Sequence, residues 1–244
     1  KRCAETSIMH AATYNGHTEL VGTLLKNNAS FIEFNEYVPT LLHVAAERGH
    51  LDLVKLLHNN GDKADKIALH HAAARNHFEV AKYLLENAGV KDECLECKPI
   101  TFPHLQRNKS LHEIHNMFCE TALHAAVSKR HTNITKLLLQ LGKSAIECKH
   151  HSGKTPLMDA VERNDTEMTA LLLQNGANVE EKCGEEISLN LGETSGVHSF
   201  YGKRSLYTVY REKTSCPCGS KALHLCSKYG LWQIAKYLIK NWKA

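Results

Sequence analysis

One short block recurs six times along the 244 residues. A chain that repeats itself at a near-regular interval builds its core from stacked copies of a single unit. The blocks are Ile8-Met9-His10-Ala11-Ala12, Leu41-Leu42-His43-Val44-Ala45-Ala46, Ala68-Leu69-His70-His71-Ala72-Ala73, Ala122-Leu123-His124-Ala125-Ala126, Pro156-Leu157-Met158-Asp159-Ala160 and Ala222-Leu223-His224-Leu225-Cys226. Each runs into a turn: Asn15-Gly16-His17, Arg48-Gly49-His50, Asn76-His77, Arg130-His131, Asn164-Asp165 or Tyr229-Gly230. Paired aliphatics follow, such as Leu24-Leu25, Leu56-Leu57, Leu84-Leu85 and Leu238-Ile239. From histidine to histidine, with Met158 standing in for it in the fifth block, the spacings are 33, 27, 54, 34 and 66. The second is a unit with a shortened connecting loop, the third a unit with roughly 21 residues added, and the last spans two units.

These blocks resemble ankyrin repeats, whose signature is T-P-L-H-x-A at a period of about 33 residues. The variants are Met9 at the Leu position, Met158 at the His position and Cys226 at the Ala position. The resemblance covers about 180 of the residues. It implies an all-α ankyrin-repeat solenoid of stacked helix-turn-helix units, with Leu and Ala of the first helix inward and the Leu pair of the second buried against the next repeat. The repeated histidine is expected to bond backbone in the adjoining turns, and the turn glycine to supply a positive φ. Asn76, Asn164 and Arg130 replace that glycine, and Asn tolerates the conformation best. The expected organisation is one domain, 1–244, with repeats at about 5–37, 38–66, 67–91, 120–152, 153–183 and 221–244 and irregular insertions at about 92–119 and 184–220.

The first insertion holds Cys94-x-x-Cys97 and His112-x-x-His115, residue types that suit tetrahedral zinc. The His pair is closer than the usual finger spacing, however, and strand signals are missing. A loop with free thiols and a short amphipathic helix over 109–118 is the plainer reading, with no metal. In the second insertion five glycines break any helix, and Ser199 to Tyr210 alternates like a hairpin or ordered loop. A decayed repeat is the alternative there. Cys216-Pro217-Cys218 is a tight pair that could close a strained disulfide or hold a metal.

Composition narrows function by exclusion. The chain is 43% hydrophobic and 23% charged, as a globular chain is, with no apolar run long enough to span a bilayer. Phosphate-binding, dinucleotide, zinc-protease, serine-hydrolase and kinase signatures are all missing, so no cofactor and no catalysis are expected. The recurrent histidines read as structural, and the Glu180-Glu181 and Glu185-Glu186 pairs as solvated surface. Nine cysteines without a framework read as reduced thiols, which points to the cytoplasm. Asn-x-Ser/Thr triplets at Asn28, Asn108, Asn133 and Asn164 do not decide the compartment. A start at Lys1-Arg2 without Met reads as a piece of a larger protein, with further repeats or domains expected to flank it.

Just after the Ala pairs, Arg48, Arg75, Lys129, Arg163 and Lys228 form a row of cations with Tyr14 at one end, and Phe34 and Tyr37 extend the same face. One reading makes these ordinary solvated side chains. The other makes them the concave, partner-binding surface of a non-enzymatic interaction module, matched to an acidic peptide or domain. A structural or tethering segment of a longer array is the alternative function. Nucleic acid is not expected, because a net charge of +4 comes with few aromatics and no basic run.

Overall fold

The computed structural model describes residues 2–27, 40–93, 120–141, 145–150, 152–184 and 220–242. It contains twelve helices and no strand among these residues. In chain order they are α1 (Arg2–Tyr14), α2 (Thr18–Lys26), α3 (Leu41–Arg48), α4 (Leu51–Asn59), α5 (Lys66–Ala74), α6 (Phe78–Glu86), α7 (Ala122–Ser128), α8 (Thr132–Leu141), α9 (Pro156–Glu162), α10 (Thr166–Gln174), α11 (Ala222–Tyr229) and α12 (Trp232–Trp242). They pair into six antiparallel units, one for each sequence block. No helix among the described residues is long and apolar enough to cross a membrane.

Several of the helices begin at a side-chain oxygen. Thr40, Thr121 and Thr155 sit in extended backbone and accept from the amides of His43, His124 and Met158, three residues on. Such caps satisfy amides that the helix itself leaves unpaired. Asp65 caps α5 through the amides of Ile67 and Ala68 at 2.9 and 3.1 Å. Pro156 occupies the first turn of α9, where a missing N–H costs nothing.

The first helix of each pair ends on a left-handed residue. Gly16, Gly49 and Gly230 have φ of 80°, 78° and 66°, and Asn76, Arg130 and Asn164 have 63°, 60° and 53°. These six positions fix the register of the repeats. All three replacements of glycine, Arg130 included, adopt the conformation the turn requires.

The chain groups into two compact units. The first comprises Lys1–Cys94 with Thr121–Ile146, the second Leu95–Glu120 with Glu147–Ala244. In the first, α1, α3, α5 and α7 pack side by side, and so do α2, α4, α6 and α8 behind them. Here α5 packs directly on α7 although residues 94–119 lie between them in sequence. In the second, α9 packs on α11 and α10 on α12, although residues 185–219 intervene. The core is built from equivalent positions. The leucine before the repeat histidine is sealed in three repeats, with Leu42, Leu69 and Leu123 at 0% exposure, and so are Leu57, Leu84, Leu138, Leu172 and Leu238 of the second helices. At about 25 cal/mol per Å², burial of this apolar seam is what makes helices of seven to thirteen residues stable.

Candidate interaction surface

Within the first unit each repeat ties itself to the next through the ends of its first helix. His50 Nε2 bonds the carbonyl of Tyr14 at 3.1 Å, His77 that of Glu47 at 2.9 Å and His131 that of Ala74 at 3.3 Å. The histidine after the left-handed residue therefore reaches back to the carbonyl two residues before the same turn in the preceding repeat. The ring needs room. A Cβ on Gly16 would stand 2.8 Å from His50, and one on Gly49 2.3 Å from His77. Asn76 carries such a Cβ, and the bond beside it, from His131, is the longest of the three.

The histidine of the repeat signature behaves differently from expectation. His43 Nδ1 accepts from the Thr40 amide at 3.1 Å, closing a capping box within its own repeat. Its Nε2 therefore carries the proton and donates to Asp65 Oδ1, the cap of the next repeat, at 2.9 Å. The tie between repeats is thus a side-chain carboxylate, and the backbone ties belong to the turn histidines instead. His224 Nδ1 takes the same role toward the Lys221 amide at 2.9 Å.

A third layer consists of side chains alone. The residue two before the turn position touches the residue one before it in the next repeat. The Arg48 guanidinium lies over the Tyr14 ring at 3.4 Å, a cation–π contact. Arg75 donates to Glu47 at 2.7 Å. In the second unit the Tyr229 hydroxyl donates to Glu162 at 2.8 Å, and the same carboxylate takes Lys154 at 2.7 Å. Lys154 is buried, so this pairing keeps its ammonium compensated.

A model of the family described as "Ankyrin repeats (3 copies)" matches residues 8–94 and 100–183, well over half of the chain. The chain belongs to the ankyrin-repeat family. No curated protein matches it. Among solved structures, the ankyrin repeat domain of Bcl-3, titled a unique member of the IkappaB protein family, is 24% identical, with a TM-score of 0.62 over 96% of this chain and 85% of that one. The ankyrin repeat protein EF0377 is 20% identical, with a TM-score of 0.63 over 95% and 96%. At these identities the likeness is one of fold. Ankyrin repeats generally mediate protein–protein interaction and are typically non-enzymatic.

On this ankyrin scaffold the cationic row falls at the C-terminal ends of first helices, where the helix dipole favours positive charge. Arg48, Arg75, Lys129 and Arg163 each stand one residue before the turn position, and all are exposed. Tyr14 and Lys228 stand one residue earlier, so they are not in register with the other four. The residue in register in the last repeat is Tyr229, with the Lys228 ammonium 5.2 Å from its ring. Arg75 and Arg48 are engaged with the preceding repeat, whereas Lys129 has no acidic partner among the described residues. Phe34, Tyr37, Cys94, Cys97, His112 and His115 lie outside the described residues, as do the short helix read over 109–118 and the alternating stretch from Ser199. Reading the blocks from their Ala pairs places Glu47, Ala74 and Glu162 beside the cations on this face, but not the contacts that Glu47 and Glu162 make across repeats.

The expectation of uniformly reduced thiols is corrected at one position: Cys148 is disulfide-bonded. Cys183 and Cys226 are buried thiols, and burial pushes the Cys226 thiol up to about 11, which leaves it unreactive at neutral pH.

Proposed function

We propose that the chain is a non-enzymatic interaction module that binds an acidic segment of a protein partner along the first-helix ends of its first unit. The observation that carries this reading is the line of three exposed cations, Arg48, Arg75 and Lys129, at one register position of three repeats whose first helices pack side by side. Tyr14 closes the line with an aromatic ring 50% exposed. Arginine pairs carboxylates in a bidentate fork, and a tyrosine adds contact area at low entropic cost. A neutral partner would leave Lys129 without an acidic neighbour, whereas an acidic one would pair it and add carboxylates to the largely exposed Arg75 guanidinium. A fluorescein-labelled Glu-Gly repeat peptide is expected to bind the chain more tightly than its Gln-Gly counterpart. The Arg48→Glu/Arg75→Glu double variant is expected to lose that preference. Equal binding of both peptides by the unaltered chain, or full binding by the double variant, would sink the reading.

A second reading, a structural or tethering segment of a longer array, is favoured by α12. Trp232 is 69% and Ile239 46% exposed there. Ala235 and Leu223 are half-buried, whereas their equivalents Val54, Ala81, Leu42 and Leu69 in other repeats are fully sealed. Sedimentation that shows self-association abolished by Trp232→Glu would support it, and a monomer at every concentration would count against it.

A further inference from the structure

The side-chain layer between repeats has one missing rung. Tyr14 holds Arg48 and Glu47 holds Arg75, each reaching from two residues before one turn to one residue before the next. At the following step in the same unit the first position is Ala74 and the second is Lys129. A methyl group cannot span that distance, and the Lys129 ammonium is left without an acidic neighbour among the described residues. The surroundings are nonetheless fixed. The Ala74 carbonyl is taken by His131 across the repeat boundary, and Arg75 beside it keeps a side chain 62% exposed while bonded to Glu47.

We infer that the space over Ala74 is a receptor for one carboxylate of the bound partner. An Asp or Glu of an acidic segment takes the place toward Lys129 that the Glu47 carboxylate takes toward Arg75 one repeat earlier. This rests on the acidic-partner reading above and gives that partner a point of register. Lys129 caps the C-terminal end of α7, where the helix favours a cation. A compact ammonium accepts a single carboxylate oxygen from a range of directions, and Arg75 stands at the other flank of Ala74.

Ala74→Glu supplies the missing rung from within the chain. The fold accommodates glutamate at this position, since Glu47 and Glu162 occupy it in their own repeats. The full chain is titrated into the labelled Glu-Gly peptide and followed by anisotropy. Ala74→Glu is expected to weaken binding about tenfold without lowering the melting temperature, and Lys129→Glu to do the same. Ala74→Gln, similar in bulk but uncharged, is expected to stay within about threefold of the unaltered chain. If Ala74→Glu binds as tightly as the unaltered chain while Arg48→Glu/Arg75→Glu does not, the receptor is wrong and the acidic-partner reading stands. If Ala74→Gln loses as much as Ala74→Glu, the effect is one of bulk and the carboxylate assignment falls. If the unaltered chain does not prefer the Glu-Gly peptide, both readings fall together.

Discussion

Gly49, like Gly16, meets two demands at once. Its φ of 78° lies in the left-handed region, and the space a Cβ would fill is occupied by His77. Asn76 shows that the first demand alone can be met by another residue, since it holds φ at 63°. The second demand, room for the ring that bonds the Glu47 carbonyl, is what makes Gly49 different. Gly49→Ala is therefore expected to destabilise the chain by about 2 kcal/mol or more, combining left-handed strain with displacement of His77. His77→Ala, which removes the hydrogen bond but leaves the turn intact, is expected to cost about 1 kcal/mol. Urea denaturation of the two variants separates these contributions. A Gly49→Ala variant as stable as the unaltered chain would show that the turn and the ring are not coupled.

At the scale of helices and their caps, a buried carboxyl and a half-buried imidazole titrate in opposite senses. Asp92 accepts from the amides of Ala122 and Leu123 at 2.9 Å each, anchoring the start of α7. Burial raises its carboxyl from an ordinary 3.8 to about 6, against the lowering effect of those amides. Between these values the folded chain holds a proton that the unfolded chain has released, so the stability due to Asp92 falls as pH rises from about 4 to 6. His71 does the reverse. Burial, then the neighbouring His70, His43 and Arg75, depress it from 6.5 to about 4. There the unfolded chain binds the extra proton, and the stability due to His71 rises across the same window. Melting temperatures at pH 4.5, 5.5 and 6.5 are expected to climb more steeply with pH in Asp92→Asn, and to climb less or fall in His71→Gln. Parallel profiles in both variants would overturn the assignment. The caps that frame this window were half legible in the sequence. Thr40, Thr121 and Thr155 stand at the signature's own threonine position, and the turns followed from Gly16 and Gly49. Asp92 was not legible, because its partners are amides brought to it by packing, 30 residues on at Ala122; Asp65 stands just before the amides it caps, and only its pairing with His43 comes from packing. Reading the cationic row from the Ala pairs slips by one residue at Tyr14 and Lys228 relative to the left-handed turn positions. An apolar pattern tolerates such a slip, whereas a left-handed turn position does not.

At the scale of the whole molecule, stability in the first unit passes from repeat to repeat, because α3 and α5 are each covered by a neighbouring first helix on both sides. Leu69 is wholly buried in α5, which packs between α3 and α7. Leu69→Ala is expected to cost about 3 kcal/mol and to speed amide exchange in α3 and α7 as well as in α5 itself. Exchange that rises in α5 alone would mean that the repeats open independently. The contacts joining Tyr14 to Arg48, Glu47 to Arg75 and Glu162 to Tyr229 are also unlike one another: an aromatic face for a guanidinium, a carboxylate for a guanidinium, a carboxylate for a phenol. The second repeat thus carries half of one lock in Arg48 and half of another in Glu47. Exchanging two repeats would preserve every leucine and alanine of the core and still break the pairs at each new junction. The order of the repeats is itself written into the chain, and drift at one such position must be answered in the neighbouring repeat.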